Sequence, residues 1–179
     1  MPFTIGQTFD STYPPEAAEW CMANNAYIEA TSDGYAIKKC PMPTLDAVKA
    51  SKLAAIDAET SAAIMAGFEC EATPPDTGVP ELLHFSYDEF DQQNFADAAL
   101  SMQLAAAAGG GIPTSTPWNA YRNHTADSKG ELVILNLTAE TFLPIYAAAL
   151  NHKAAKMAEG GQRKAAVAAA QTVEDVEAI

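Results

Sequence analysis

Four hydroxyl residues, Thr44, Ser86, Thr138 and Thr172, each stand where extended or turn-like sequence gives way to a helical pattern. A helix leaves its first amides without internal partners, and a Ser or Thr just ahead of it can accept a bond from one of them. The first signal opens a helix from Thr44 to near Gly67, in which Leu45, Leu53, Ile56, Ala63 and Ile64 share an arc of roughly 100°. Lys49 falls inside that arc, so the first turns are expected to stand clear of the main core. Thr138 opens a helix with Phe142, Ile145, Tyr146, Ala149, Leu150 and Met157 on one side, expected to break at Gly160-Gly161. Thr172 is followed by Glu174 and Asp175, acids suited to the positive end of a new helix. Short strand-like runs lie between these signals: "GFECEA" and "ELLHFSY" around a Pro/Gly loop, then "NAYRNH" and "ELVILNL" across "TADSKG". Long amphipathic helices interleaved with short antiparallel strands predict an α+β fold.

The segment "HFSYDEFDQQNFADA", His84 to Ala98, concentrates acids and aromatics without a single Lys or Arg. Ser86 sits three residues before Glu89, the spacing of a capping box, and Asp88, Glu89 and Asp91 fall in or beside the first turn. Acids there are stabilised by the helix dipole, and Phe95, Ala98, Ala99 and Met102 continue as an apolar stripe. A calcium loop would need alternating oxygen ligands, a glycine and a distant glutamate, a spacing that is absent. The segment is therefore expected to be scaffold.

Residues 1–43 read as a small N-terminal helix-plus-hairpin module, separate from an α+β helical domain over 44–179. "FTIGQTF" suggests a short strand broken by Gly6, and Pro14-Pro15 leads into a helix that Asn24-Asn25 ends. Gly34 supplies the turn that pairs Tyr27–Thr31 with Tyr35–Lys39. "CPMP" reads as a linker, because its two prolines discourage helix and central strand alike.

Length and charge narrow the function. The 179 residues suffice for one substantial core with a small appended module. Much of the 49% hydrophobic content is alanine, which buries little surface, so some helices are expected to lean on a partner or on copies of the chain. A net charge of -13 repels phosphate backbones and anionic lipids, which argues against nucleic-acid and membrane binding. The opening residues lack a basic start followed by an apolar run, and no stretch approaches the ~20 apolar residues that span a bilayer, so synthesis in a cytoplasm is expected. Cys21, Cys40 and Cys70 are odd in number and widely spaced, which suits reduced thiols.

No catalytic or cofactor motif emerges. His84, His124 and His152 lie in separate segments outside any ligand-pair spacing, so no metal is expected. "AGGGIP" lacks the setting of a phosphate loop and reads as a helix stop and hinge. Two Asn-x-Thr matches, at Asn123 and Asn136, are expected to be chance. Trp20 reads as core, whereas Trp118 fits core and interface equally. Trp118, Tyr121, Phe142 and Tyr146 form the candidate interface.

Four stretches carry a resemblance to a known family. "FTIGQTFDSTYPPEAAEWCMANNAYIEA", "HFSYDEFDQQNFADA", "TPWNAY" with "ELVILNLTAETF", and "KAAVAAAQTVEDVEAI" occur in an order that resembles small phage and prophage tail proteins. These are of the tail-fibre or tail-fibre-assembly type, with a C-terminal domain of uncharacterised function. The segment "NAYRNHTADSKGEL" is longer than that resemblance leads one to expect. The resemblance implies a non-enzymatic protein without cofactors, acting through contact with a tail-fibre or other tail protein, with homo-oligomers as an option. It would work as a structural component or as an assembly chaperone, in the host cytoplasm during assembly or in the virion tail. Two alternatives differ in class. One is a receptor-binding module using the loops Thr73–Pro80 and Gly109–Pro117; the other is a glycan hydrolase, which needs two carboxylates facing each other across a cleft.

Overall fold

The computed structural model describes residues 3–108 and 114–179. The chain divides into two compact units, Met1–Thr44 and Leu45–Ile179.

The first unit holds β1 (Thr8–Phe9), α1 (Pro15–Ala23), β2 (Ala26–Thr31) and β3 (Gly34–Lys39), with sheet order β1-β3-β2. Pro15 occupies the first helical position, where its missing N–H costs nothing. Asn24 ends α1, its Nδ2 donating to Trp20 O at 2.8 Å, and Asn25 at φ 50° turns the chain into β2. Gly34 adopts φ +134°, and a Cβ there would collide with the Phe9 and Asp10 backbone. Cys21, Ala26 and Ile37 form a small core, with Phe3, Phe9, Trp20 and Ile28 packed around it.

The second unit runs α2 (Leu45–Met65), β4 (Phe68–Ala72), β5 (Glu81–Phe85), α3 (Glu89–Ala108), β6 (Ser115–Arg122), β7 (Glu131–Thr138), α4 (Ala139–Ala169) and α5 (Val173–Glu177). Its four strands form one antiparallel sheet in the order β4-β5-β6-β7. One face of the sheet, with Phe68, Leu83, Phe85, Ala120, Val133, Leu135 and Leu137, packs on Phe95 and Met102 of α3 and on Phe142, Ile145 and Ala149 of α4. The fold is α+β, helices on an antiparallel sheet.

Helix starts follow the sequence at three of the signals, and α2 begins at Leu45, directly after Thr44. Thr138 and Thr141 form a reciprocal box at α4, and Thr172 and Asp175 form another at α5. Other expectations need correction. Gly160-Gly161 does not interrupt α4, which is continuous over 31 residues. Gly160 is instead a contact: it is buried against Thr60 of α2, so its missing side chain lets the two helices approach. The first turns of α2 do stand clear of the main core, as Lys49 in the apolar arc led one to expect. They pack on a second core, where Ile56, Val167, Ala170 and Val176 meet Leu45, Val48 and Leu53. Lys49 sits in the apolar arc because its Nζ donates to Ala168 O at 3.0 Å, satisfying a carbonyl in the last turn of α4. Leu150 and Met157 are 47% and 58% exposed, so the buried stripe of α4 is narrower than its sequence suggests. Ser115, Thr116 and Pro117 belong to β6 and not to a loop, Thr114 is a bend, and residues 109–113 of that expected loop and hinge lie outside the described residues.

Candidate functional site

Asp88 starts α3. Its Oδ1 accepts from the Asp91 amide at 2.8 Å, and its carbonyl accepts from the Gln92 amide at 2.9 Å, which makes it the N-cap. The expected Ser86–Glu89 box is thus displaced by two residues. Tyr87 explains the shift. It is drawn into the core against Phe68 and Phe95, at 5.6 and 5.7 Å between rings, and stays outside the helix. Glu89 and Asp91 then occupy the first turn.

Between α3 and β6 lies a groove of about 1030 Å³. Asp88, Phe90, Asp91, Asn94 and Asp97 line it from α3, and Ser115–Asn119 and Tyr121 from β6. Successive side chains of a strand point to opposite faces. Five consecutive residues lining one groove fit a strand whose edge, as well as one face, opens onto it.

The sheet topology explains this opening. β6 pairs with β7 at eight positions, from Ser115↔Thr138 to Arg122↔Glu131. On its other side, among the described residues, it meets β5 in register only at His84↔Tyr121, because β5 ends at Phe85 and the chain turns away into α3. Pro117 fixes which groups remain. Lacking an N–H, it must form a non-hydrogen-bonded pair with Asn136, so Thr116, Trp118 and Ala120 carry the ladder to β7. By that alternation the backbone groups of Ser115 and Asn119, and the Pro117 carbonyl, are directed away from β7, to the side that β5 leaves at Phe85.

The groove is acidic on one wall. Asp88, Asp91 and Asp97 all project from α3, and among the described residues no Lys or Arg lines it. β6 offers hydroxyls, amides and aromatic surface but no carboxylate. The two carboxylates facing across a cleft that glycoside hydrolysis uses are therefore not assembled here by the described residues. Phe90 stands at the groove 73% exposed, about 140° around α3 from Phe95 and off the buried stripe.

Of the expected interface residues, Trp118 and Tyr121 line the groove. Trp118 serves the core as well, its ring 4.2 Å from Phe95. Phe142 is a correction: it is fully buried between Phe95 and Trp118 and presents nothing to a partner. Tyr146, half-buried, stacks on Phe142 at 5.6 Å and does not line the groove.

Two polar clusters flank the far end of β6. Arg122 bonds Glu81 at 2.5 Å, Asp76 at 3.2 Å and Glu131 at 3.2 Å, which ties the Thr73–Pro80 loop to three strands. Its hydrogen bond holds the Glu81 carboxyl below the usual range. The rings of His84 and His124 stack with centroids 3.5 Å apart and planes 4° apart, a pairing that their distance in sequence hid. Burial, then the neighbouring His124, push the His84 pKa down. Among the described residues, no three His, Cys, Asp or Glu side chains gather where a metal ion could sit. No helix among them is long and apolar enough to cross a membrane.

Fold and groove together define an α+β domain whose antiparallel sheet keeps one partly open internal edge beside an acidic helix. Residues 47–179 match the family described as Domain of unknown function (DUF4376), and the chain belongs to that family. No curated protein and no solved structure matches the chain.

Proposed function

We propose that the protein is a non-enzymatic bacteriophage or prophage tail component that works by protein–protein contact. Its place is beside the tail fibre, as a structural part or as an assembly chaperone. The observation that carries this reading is the groove, where an open strand edge, the exposed Phe90 and the partly exposed Trp118 and Tyr121 adjoin. Aromatic anchors and unpaired backbone groups are what protein interfaces use. The sequence resemblance to tail-fibre and tail-fibre-assembly proteins supports the choice of partner, and the acidity of the chain supports protein over nucleic acid or membrane.

Native mass spectrometry of the protein co-expressed with the tail-fibre protein of the same phage or prophage tests this. A complex of fixed stoichiometry is expected. No complex, together with absence from purified particles, refutes both versions. Stoichiometric presence in mature particles identifies the structural part, and absence from them despite a complex identifies the chaperone.

A further inference from the structure

We propose that the groove receives an extended, Lys- or Arg-bearing segment of the partner protein, added as a strand to the β6 edge at Ser115–Asn119. This rests on the protein-contact reading above and names how the contact is made. The added strand occupies the lane that β5 vacates at Phe85, beyond the single His84↔Tyr121 pair. At ~3.3 Å per residue the open stretch is about 16 Å long, enough for a short strand. Asn119 offers both backbone groups there, Ser115 likewise, and Pro117 its carbonyl alone. The lost donor at Pro117 blunts the edge against indiscriminate pairing while leaving rungs on either side.

Charge selects the occupant. Asp88, Asp91 and Asp97 run along the facing wall with no cation among the described lining residues, so alternate side chains of an incoming strand meet carboxylates. A second copy of this chain is disfavoured at this edge. It would bring the same three carboxylates against their like, on a molecule already at -13. Phe90, exposed at the groove, gives an apolar side chain of the segment something to cover.

The probe is a peptide of about ten residues alternating valine or threonine with lysine, titrated into the full-length protein. It should bind, and it should protect the Asn119 and Ser115 amides from hydrogen exchange. Trp118 and Ala120, already paired to β7, should not change. N-methylating the peptide's ladder-side amides leaves the protein untouched and should weaken binding at least about tenfold. The glutamate version should not bind, and Asp91→Asn with Asp97→Asn should cost roughly fivefold and flatten the salt dependence. Equal binding of the methylated peptide, or no protection at Asn119, overturns the proposal. Asn119→Pro removes the groove-side donor and spares the β7 ladder. If a native complex with the tail partner forms and survives this change intact, the strand-addition inference falls while the contact reading stands. If no complex forms with the wild-type chain, the reading beneath it falls too.

Discussion

Adjacent glycines in α4 should respond differently to the same substitution, one gaining stability and the other not. Gly161 is exposed, and a Cβ built on it meets nothing within 4 Å. Gly161→Ala therefore gains helix propensity alone, about 0.8–1.0 kcal/mol. Gly160 faces Thr60 of α2: an added Cβ would lie well inside contact distance of Oγ1, and 3.2 and 3.3 Å from Cγ2 and Cβ. Thr60 is short and β-branched, so it has little room to swing aside, and α2 and α4 must part. Overpacking of this kind costs about 1–3 kcal/mol. Set against the same propensity gain, Gly160→Ala should come out between neutral and about 2 kcal/mol destabilising. The difference between the two variants isolates the clash. Urea denaturation with a common m-value measures it, and at roughly 2–4 °C per kcal/mol thermal melts should separate the pair visibly. Thr60→Ala removes Oγ1 and Cγ2, so combining it with Gly160→Ala should restore most of the loss, and the double-mutant cycle should show coupling. Equal stabilisation by both alanines, or no coupling to Thr60, would refute close packing at Gly160.

Two further perturbations probe the groove wall and the histidine stack. Asp88→Ala should cost about 1 kcal/mol through loss of the α3 cap, Asp88→Asn far less, and Ser86→Ala under about 0.5 kcal/mol, all read from denaturation midpoints. A larger effect at Ser86 than at Asp88 would contradict the cap assignment. For His84, burial against β6 and the adjacent His124 ring lower the pKa, His152 lowers it further, and Glu69 across the β4–β5 pair opposes them. The unfolded chain then binds a proton that the folded chain resists, so stability rises with pH: the contribution is complete above about 6.5 and is lost as pH falls below it. Melting temperatures from about pH 7.5 to 5 should fall for the wild type and fall less for His84→Gln, and parallel slopes would rule this out.

Local chemistry made much of the architecture legible. Gly34 marked the N-terminal hairpin, the Asn pair marked the end of α1, and Thr138 and Thr172 marked helix starts, because each acts on backbone groups within a few residues of itself. The errors came where tertiary contact overrode such signals. Gly160-Gly161 has the composition of a break, yet a glycine in a helix is tolerated when another helix must come close. Ser86 and Asp88 both offer caps, and burial of Tyr87 decided between them. The groove was hidden in the sequence because it arises from where β5 leaves β6, which depends on register over long range. One sign of it emerges once β6 is seen to begin at Ser115: a proline within a strand, here Pro117, demands a side without a ladder. Trp118 resisted assignment because it belongs to both environments, packed on Phe95 and lining the groove.

Helix α4 contributes Phe142, Ile145 and Ala149 to one core and Val167 to the other. Its 31 residues, with Pro144 in the second turn, follow a helical path of about 46 Å. Two hydrophobic clusters joined by a flexible link would be free to melt at separate temperatures. Threaded on one spine, they are expected to share a fate: fraying that begins around α5 should remove support from the sheet at the other end, and calorimetry should show one transition for the second unit.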